Sequence, residues 1–359
     1  MPADPVQSFR QLLRQIAGEP PDRCGPQSEK DEDDARIESS VFGDALDIFV
    51  AELNAAPAEP KPPLSGATEA LEKLERASAE INAAWPDEDR FHFQVLDIPP
   101  AFVLKVTFRT RARFFVVGVP EDSQWNPGRL WRQVGHDEES IEHYATALSI
   151  DLYPLHRGRS GNARFLAKFG FTGCAGNSMG VAYDAREWNP NSGGNVEQII
   201  KQDGAFGIDE VANGHKPTQK DPFTPVGMLH TDGPLITLPY CWFSAVDTWD
   251  NPSMCAVDTY DLSSDDVKFR SRSYNRPDLV PIAKAIEYAE KRDYPAVLGY
   301  CSSGDVARRM VRDVPLYVFA GDLQVTRKGD GKEHVEMEGF HFDVEKLGGR
   351  WLVAAFSAD

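Results

Sequence analysis

The spacing of apolar residues predicts three helices near the start of the chain. Apolar side chains recur every three or four positions behind Pro5, again over Leu46–Leu53, and again over Leu71–Trp85. This spacing gathers them on one face of a helix. The runs SEKDEDDARIES and APAEPKPPL between these stretches are typical of solvated linkers. We therefore predict a helical N-terminal arm over residues 1–86, of which residues 1–64 contribute little core to the rest, whereas the third helix docks on the main body or on another chain.

From Phe91 to about Tyr274 the period of the apolar residues changes to two. Stretches such as AFVLKVTFRTRARFFVVGVP alternate, with turn residues between them, which is the pattern of antiparallel strands joined by hairpins. The remaining residues begin with two helices, one opened by Pro277 and one capped by Ser303, and end with three strands. The predicted fold class is α+β, with a helical arm (1–86), a β-rich central domain (87–275) and an α+β domain (276–359).

The C-terminal domain resembles a known family. The phrase AIEYAEKRDYPAVLGYC, followed by strands ending in FHFDVEKLGGRWLVAAF, is similar to the NTF2-like (SnoaL-like) group over about Asp278–Phe356. The resemblance implies helices packed into a curved, cone-shaped sheet, and it favours a pocket more than any one reaction, because the group includes both enzymes and accessory domains. His341 and Asp343, expected on the same strand face as Val335 and Met337, are the polar groups predicted to line that cone.

The segment Tyr240–Tyr274 is predicted to form two successive hairpins. In the register set by their loops, Tyr260 faces Phe269 on a core face, whereas Arg270 and Arg272 point to solvent. A change of Phe269 to alanine is therefore expected to be as costly as emptying a buried aromatic site.

The same register places Asp247 and Asp258 on the core face as diagonal neighbours roughly 7 Å apart. Two buried carboxylates at that distance must hold a cation, share a proton, or bond to backbone amides. The third role is the common one for aspartates near turns. If the pair holds a divalent cation, oxygen ligands alone favour Mg²⁺, Ca²⁺ or Mn²⁺ over Zn²⁺.

Two further pairs of residues are candidates for function. His230 and Asp232 flank Thr231 in the turn MLHTDGPL, where a carboxylate can orient a histidine that acts as a base. Trp188 and Trp249 belong to Trp-Asn-Pro and Trp-Asp-Asn-Pro turns. Tryptophans in surface turns are candidates for ligand binding.

Charge and cysteine content exclude several classes of protein. The chain has 38 basic and 56 acidic residues, a net charge of −18, which argues against nucleic acid or an anionic membrane as a partner. It has no apolar stretch of about 18 residues and no signal-peptide pattern, so we predict a cytoplasmic protein; a secreted form without its leader has the same pattern. Five widely spaced cysteines without a CxxC pair argue against a disulfide scaffold or a structural zinc site.

Three classes of function remain open. The first is a binding or accessory protein for a small molecule, since turn tryptophans are present and no catalytic motif is strong. The second is a hydrolase or lyase that uses Asp247 and Asp258, with or without a divalent cation, and His230 as base. The third is an assembly protein that forms a homo-oligomer or another complex through the helix Leu71–Trp85.

Overall fold

The structure is a computed structural model of the 359-residue chain. The residues it describes are 5–16, 29–55, 64–85, 90–108, 111–119, 131–136, 145–173, 179–190, 196–202, 229–242, 254–316, 318, 323–337 and 339–359.

Six helices and fifteen strands are found in these described residues. The helices are α1 (Pro5–Gln15), α2 (Glu29–Ala55), α3 (Leu64–Asn82), α4 (Val280–Glu290), α5 (Tyr294–Leu298) and α6 (Gly304–Asp313). The strands are β1 (His92–Ile98), β2 (Ala101–Phe108), β3 (Arg111–Gly118), β4 (Arg132–His136), β5 (Ala145–Pro154), β6 (Ala163–Gly173), β7 (Met179–Trp188), β8 (Val196–Gln202), β9 (Leu235–Trp242), β10 (Met254–Asp261), β11 (Lys268–Tyr274), β12 (Gln324–Gly329), β13 (Lys332–Met337), β14 (Phe340–Leu347) and β15 (Arg350–Ala358).

The strands form four antiparallel sheets, so the predicted α+β class is wrong and the chain is mostly β. Three sheets have four strands in sequential order, β1-β2-β3-β4, β5-β6-β7-β8 and β12-β13-β14-β15, and the fourth has the order β11-β10-β9. Sequential order follows from chains of short hairpins, in which each strand pairs with the next along the sequence. The period-two pattern predicted strands in the central region, and three more were predicted near the C-terminus, where the structure has four, β12–β15.

The chain divides into two compact units. The first unit comprises Met1–Asp203, Thr231–Ile236 and Asp261–Lys268, and the second comprises Gly204–His230, Thr237–Tyr260 and Phe269–Asp359. This division does not fall at the two predicted boundaries near residues 86 and 275.

The first unit has three layers, and the N-terminal helices are one of them. Phe49 of α2 meets Phe102 of β2 edge to face at 6.4 Å between ring centroids. On the opposite face of the same sheet, Phe114 meets Phe165 of β6 at 5.5 Å. Strand β2 is therefore buried on both faces, with even-numbered residues among the helices and odd-numbered residues among β5–β7.

The prediction of a separate helical arm is therefore wrong. The apolar residues of α1, α2 and α3 share one core with β1–β3, and Phe9 and Leu13 are completely buried in it. The acidic run is not a linker, because α2 begins inside it at Glu29 and continues for 27 residues.

The second unit packs α4–α6 on one face of the β12–β15 sheet. Ile282 and Ile286 of α4 and Met310 of α6 are completely buried against Val335 and Phe342 of the sheet. Ser303 caps α6 as predicted, since its hydroxyl accepts from the Val306 amide.

The resemblance of this unit to the NTF2-like group is overturned. The sheet has four strands in simple sequential order after the three helices, and the resemblance rested only on helices followed by strands. The predicted strand face is also wrong: Val335 pairs with Phe342, whereas His341 pairs with Glu336. His341 and Asp343 therefore point away from the helices rather than into an interior.

Two cysteine side chains of the described residues have distinct states. Cys255 is disulfide-bonded, and Cys301 is a buried free thiol whose pKa is raised by burial to about 12. Disulfides are characteristic of oxidising compartments, so a cytoplasmic location stays a prediction. None of the helices in the described part of the chain is long and apolar enough to cross a bilayer.

Candidate metal centre

The face of the β12–β15 sheet that points away from the helices carries a cluster of metal-binding side chains. We call this face the open face. Strand β13 alternates strictly: Glu333, Val335 and Met337 are buried, so the residues between them point outward. The outward residues His334 and Glu336 of β13 thus lie beside those of β14.

The hairpin between β13 and β14 sets which of these side chains meet. Glu336 pairs with His341, and His334 pairs with Asp343. Directly opposed side chains on one face have Cβ atoms about 4.5–5.5 Å apart, within reach of a shared ion. Gly339 enables the turn, since its φ of 75° is a backbone conformation that favours glycine.

Each histidine has one ring nitrogen on an outer carboxylate and the other turned to Glu336. His334 Nδ1 lies 2.7 Å from Asp343 Oδ1 and Nε2 lies 3.1 Å from Glu336 Oε1. His341 Nε2 lies 3.2 Å from Asp359 Oδ1, and its Nδ1 lies 4.0 Å from the same Oε1 of Glu336. The two imidazole rings are stacked, with centroids 6.0 Å apart and planes 18° from parallel.

These distances fit the donor set of a metal ion. One donor atom each from His334, Glu336 and His341 lie within 4.8 Å of one another. Two donors that each lie about 2.0–2.1 Å from a Zn²⁺ ion are about 3 Å apart when they are neighbours in its coordination sphere. The separation of 3.1 Å at His334 already has this value, and the 4.0 Å at His341 requires the ring to move closer.

The outer carboxylate Asp343 is held in its ionised form. Burial raises the pKa of Asp343, but hydrogen bonds from Lys328 and His334 outweigh it and lower the pKa overall. Lys328 Nζ lies 2.8 Å from Asp343 Oδ1. An ionised carboxylate on the far nitrogen of an imidazole fixes the ring and its tautomer, as in many metal sites.

Solvent reaches the three ligand side chains. The exposed fractions are 21% for His334, 49% for Glu336 and 37% for His341. An ion can therefore enter without opening the core.

Of the two aspartates predicted to form a site, the structure describes only Asp258. Asp258 is completely buried, and Arg272 binds it through two hydrogen bonds of 2.6 and 2.7 Å. Burial raises the pKa of Tyr260, and the nearby Asp258 raises it further. Asp247 lies outside the described residues, so the aspartate pair stays a prediction. The charge of Asp258 is compensated by Arg272 and needs no cation.

The ring contact expected from the second predicted hairpin is present, but the predicted faces are wrong. Tyr260 and Phe269 meet as predicted, edge to face at 5.6 Å. Phe269 is nevertheless 54% exposed rather than core, and Arg272 points to a buried carboxylate rather than to solvent. β11 is an edge strand of its sheet and six of its seven residues are exposed.

None of the remaining predicted residues that the structure describes belongs to this cluster. His230 is exposed, and its backbone forms an isolated bridge with Thr237. Asp232 is exposed in the turn before β9, and a catalytic role for either residue stays a prediction. Trp188 is completely buried rather than in a surface position, and Trp249 lies outside the described residues.

Burial of Trp188 has a local cause in the first unit. A Cβ atom added at Gly118 would lie 2.6 Å from Cη2 of the indole, a distance that Cβ atoms do not adopt. The glycine therefore makes room for the indole ring in the core between the β1–β4 sheet and β5–β7.

Sequence reasoning found His341 and Asp343 but missed His334, Glu336 and Asp359. The signal is present as two short alternating patterns, His-x-Glu at 334–336 and His-x-Asp at 341–343. Each pattern places two donors on one strand face. The hairpin between them then brings both pairs to the same face.

A buried carboxyl pair lies at the inner face of the same sheet. Burial raises the pKa of Asp278, but hydrogen bonds from Arg276 and Glu333 outweigh it and lower the pKa overall. Burial and the neighbouring Asp278 raise the pKa of Glu333. Arg276 Nη2 lies 2.5 Å from Asp278 Oδ2, which keeps the negative charge on the aspartate.

Comparisons with known proteins identify no family. No family model and no curated protein matches the chain. Among solved structures, it is similar to a GH93 α-L-arabinofuranosidase of Fusarium graminearum in complex with arabinobiose, at 12% identity and a TM-score of 0.27, covering 76% of this chain and 67% of that one. An endo-arabinase from Bacteroides thetaiotaomicron matches at 11% identity and a TM-score of 0.17, covering 74% of each chain. Both are glycosidases and neither is NTF2-like.

Proposed function

We propose that this protein binds a divalent transition-metal ion through His334, Glu336 and His341 on the open face of its C-terminal sheet. The observation that carries the proposal is the shared direction of the two imidazoles. Each has its far nitrogen on a carboxylate, Asp343 or Asp359, and its near nitrogen turned to the same Glu336 oxygen. Outer carboxylates of this kind orient ligand histidines in known metal sites.

The donor set distinguishes among metals. Imidazole suits Zn²⁺, Cu²⁺, Ni²⁺ and Fe²⁺, whereas Mg²⁺ and Ca²⁺ prefer oxygen ligands alone. The proposal therefore differs from the Mg²⁺ or Ca²⁺ that the sequence favoured for the aspartates. Metal binding agrees with the first of the three functional classes, a binding or accessory protein.

Thermal unfolding with and without metal tests the proposal. A ligand that binds only the folded state stabilises that state by about 2.7 kcal/mol when the free ligand concentration is about 100 times its Kd. We expect Zn²⁺ and Ni²⁺ to raise the Tm of the full chain in this way, and Mg²⁺ and Ca²⁺ to leave it unchanged. His334→Ala and His341→Ala should each remove the rise.

A matched control separates this site from other histidines. His156 is also exposed but lies far along the chain, in the β5–β6 connection, so His156→Ala should keep the full metal response. Asp343→Asn keeps the shape of the side chain but weakens its hold on His334, and we expect it to weaken metal binding by about 10–100-fold. A Tm rise that survives in both His334→Ala and His341→Ala would overturn the proposal.

A further inference from the structure

The residues beside the metal-binding cluster leave its solvent side open. On β12, Thr326 pairs with His334, and on β15, Ser357 pairs with His341 and Ala355 with Asp343. All three neighbours are short and exposed. Adjacent strands lie about 4.8 Å apart, so longer side chains at these positions would reach over the ligands.

A metal ion bound by these three side chains would keep coordination positions that the protein does not fill. His334, Glu336 and His341 all rise from one face of one sheet. An ion held by three donors on one side has its remaining positions directed away from the sheet. Transition-metal ions take four to six ligands, and sites with only three protein ligands admit water or another molecule.

Charge around the site allows an anionic ligand. Two carboxylates that do not serve as ligands adjoin the histidines. Asp343 is paired with Lys328 at 2.8 Å, and Asp359, which lies 3.2 Å from His341, is 74% exposed, so solvent screens its charge. The ion itself carries two positive charges against the single charge of Glu336. Hydroxyl groups of Thr326 and Ser357 flank the cluster and can donate to oxygen atoms of a ligand.

We infer that the bound metal ion holds a small bidentate carboxylate, of the oxalate or hydroxycarboxylate type, at its open positions. This inference rests on the proposed metal binding. Two oxygen donors on one small molecule fill two neighbouring positions at once, which strengthens the second bond through a high effective concentration. Short side chains at Thr326, Ala355 and Ser357 leave room for such a ligand.

The test uses the full chain loaded with Co²⁺, whose visible absorption depends on its ligands. Oxalate should change the spectrum at a concentration about 100-fold lower than acetate, which has one carboxylate only. Equilibrium dialysis in the same buffer reports whether Co²⁺ stays with the protein. Oxalate that removes Co²⁺ from the protein, or that leaves the spectrum of bound Co²⁺ unchanged, overturns the inference while metal binding itself stands. Failure of Co²⁺ to bind at all overturns both.

A designed fourth ligand gives the sharper result. Ser357→Asp adds a carboxylate beside His341 and should fill an open position from within the chain. We expect this variant to retain Co²⁺ in dialysis and to require at least about tenfold more oxalate for the same spectral change. Ser271→Asp, the same change at an exposed serine of β11, should respond like the unmodified protein. An unaltered oxalate response in Ser357→Asp would show that the ligand does not bind at these positions.

Discussion

Two sheets of the same size and strand order differ in what covers them. The β1–β4 sheet has helices on one face and β5–β7 on the other, and β2 is buried throughout its length except for two partly buried residues. Among the described residues, the β12–β15 sheet has helices on one face only, and β13 alternates between buried residues and exposed or half-buried ones. The sequences AFVLKVTF and KEHVEM show the same difference. A sheet covered once keeps a face on which polar side chains can form a site without a desolvation cost.

The largest expected effect tests the doubly covered sheet. Phe102 is completely buried between Phe49 and Trp131, so Phe102→Ala should lower the free energy of unfolding by about 3–5 kcal/mol. Thr326→Ala on the open face should change it by no more than about 0.5 kcal/mol. Urea unfolding of both variants measures the contrast, and similar values for the two would mean that the two sheets are not covered differently.

A smaller effect contrasts a buried ion pair with an open one. Arg272→Ala removes both guanidinium hydrogen bonds from the buried carboxylate of Asp258. It should cost about 3 kcal/mol, the low end for broken buried pairs, because Arg272 itself is 42% exposed. Lys328→Ala removes the partner of Asp343, which is 39% exposed, and should cost less than about 1 kcal/mol. Chemical denaturation at neutral pH gives both values. Equal losses would contradict the assigned burial of Asp258.

The next effect depends on pH and concerns the inner face of the β12–β15 sheet. The lowered pKa of Asp278 in the folded state means that its stabilising contribution is present above the unfolded value of about 3.9 and is lost as the pH falls through the folded value. Arg276→Gln should therefore destabilise the protein by about 1.5–3 kcal/mol at pH 7.

The difference between this variant and the unmodified protein should shrink as the pH falls, because protonation of Asp278 removes the charge that Arg276 binds. Unfolding curves measured from pH 7 to pH 2 follow the difference. A constant loss over the whole range would assign the effect to packing of the Arg276 side chain rather than to its charge.

Local features of the fold could be predicted from the sequence, whereas the covering of faces could not. The cap Ser303 and the ring contact between Tyr260 and Phe269 depend on neighbouring residues and a short turn, and both were predicted correctly. Burial of Phe269 depends on whether another layer covers β11, which alternation alone cannot show. The N-terminal helices were misjudged for the same reason, since acidic and proline-rich stretches say nothing about where the apolar face between them docks.

Only the residues of β14 in the candidate site were predicted from the sequence, because the residues of β13 join them through strand pairing. His341 and Asp343 were singled out, but their neighbours His334 and Glu336 come from the preceding strand. A shift of one residue in that pairing moves every side chain to the other face. The register of β13 against β14, which the turn at Gly339 fixes, was therefore the missing information.

Burial of β2 on both faces couples the unfolding of the two layers that cover it. Because its side chains belong alternately to the helical core and to the core shared with β5–β7, neither layer can detach without exposing apolar surface of the other. Backbone amides of β2 should accordingly exchange with deuterium only when the whole unit unfolds, whereas those of a singly covered sheet can exchange through smaller openings. The helices at the start of the chain thus act as part of a single cooperative folding unit.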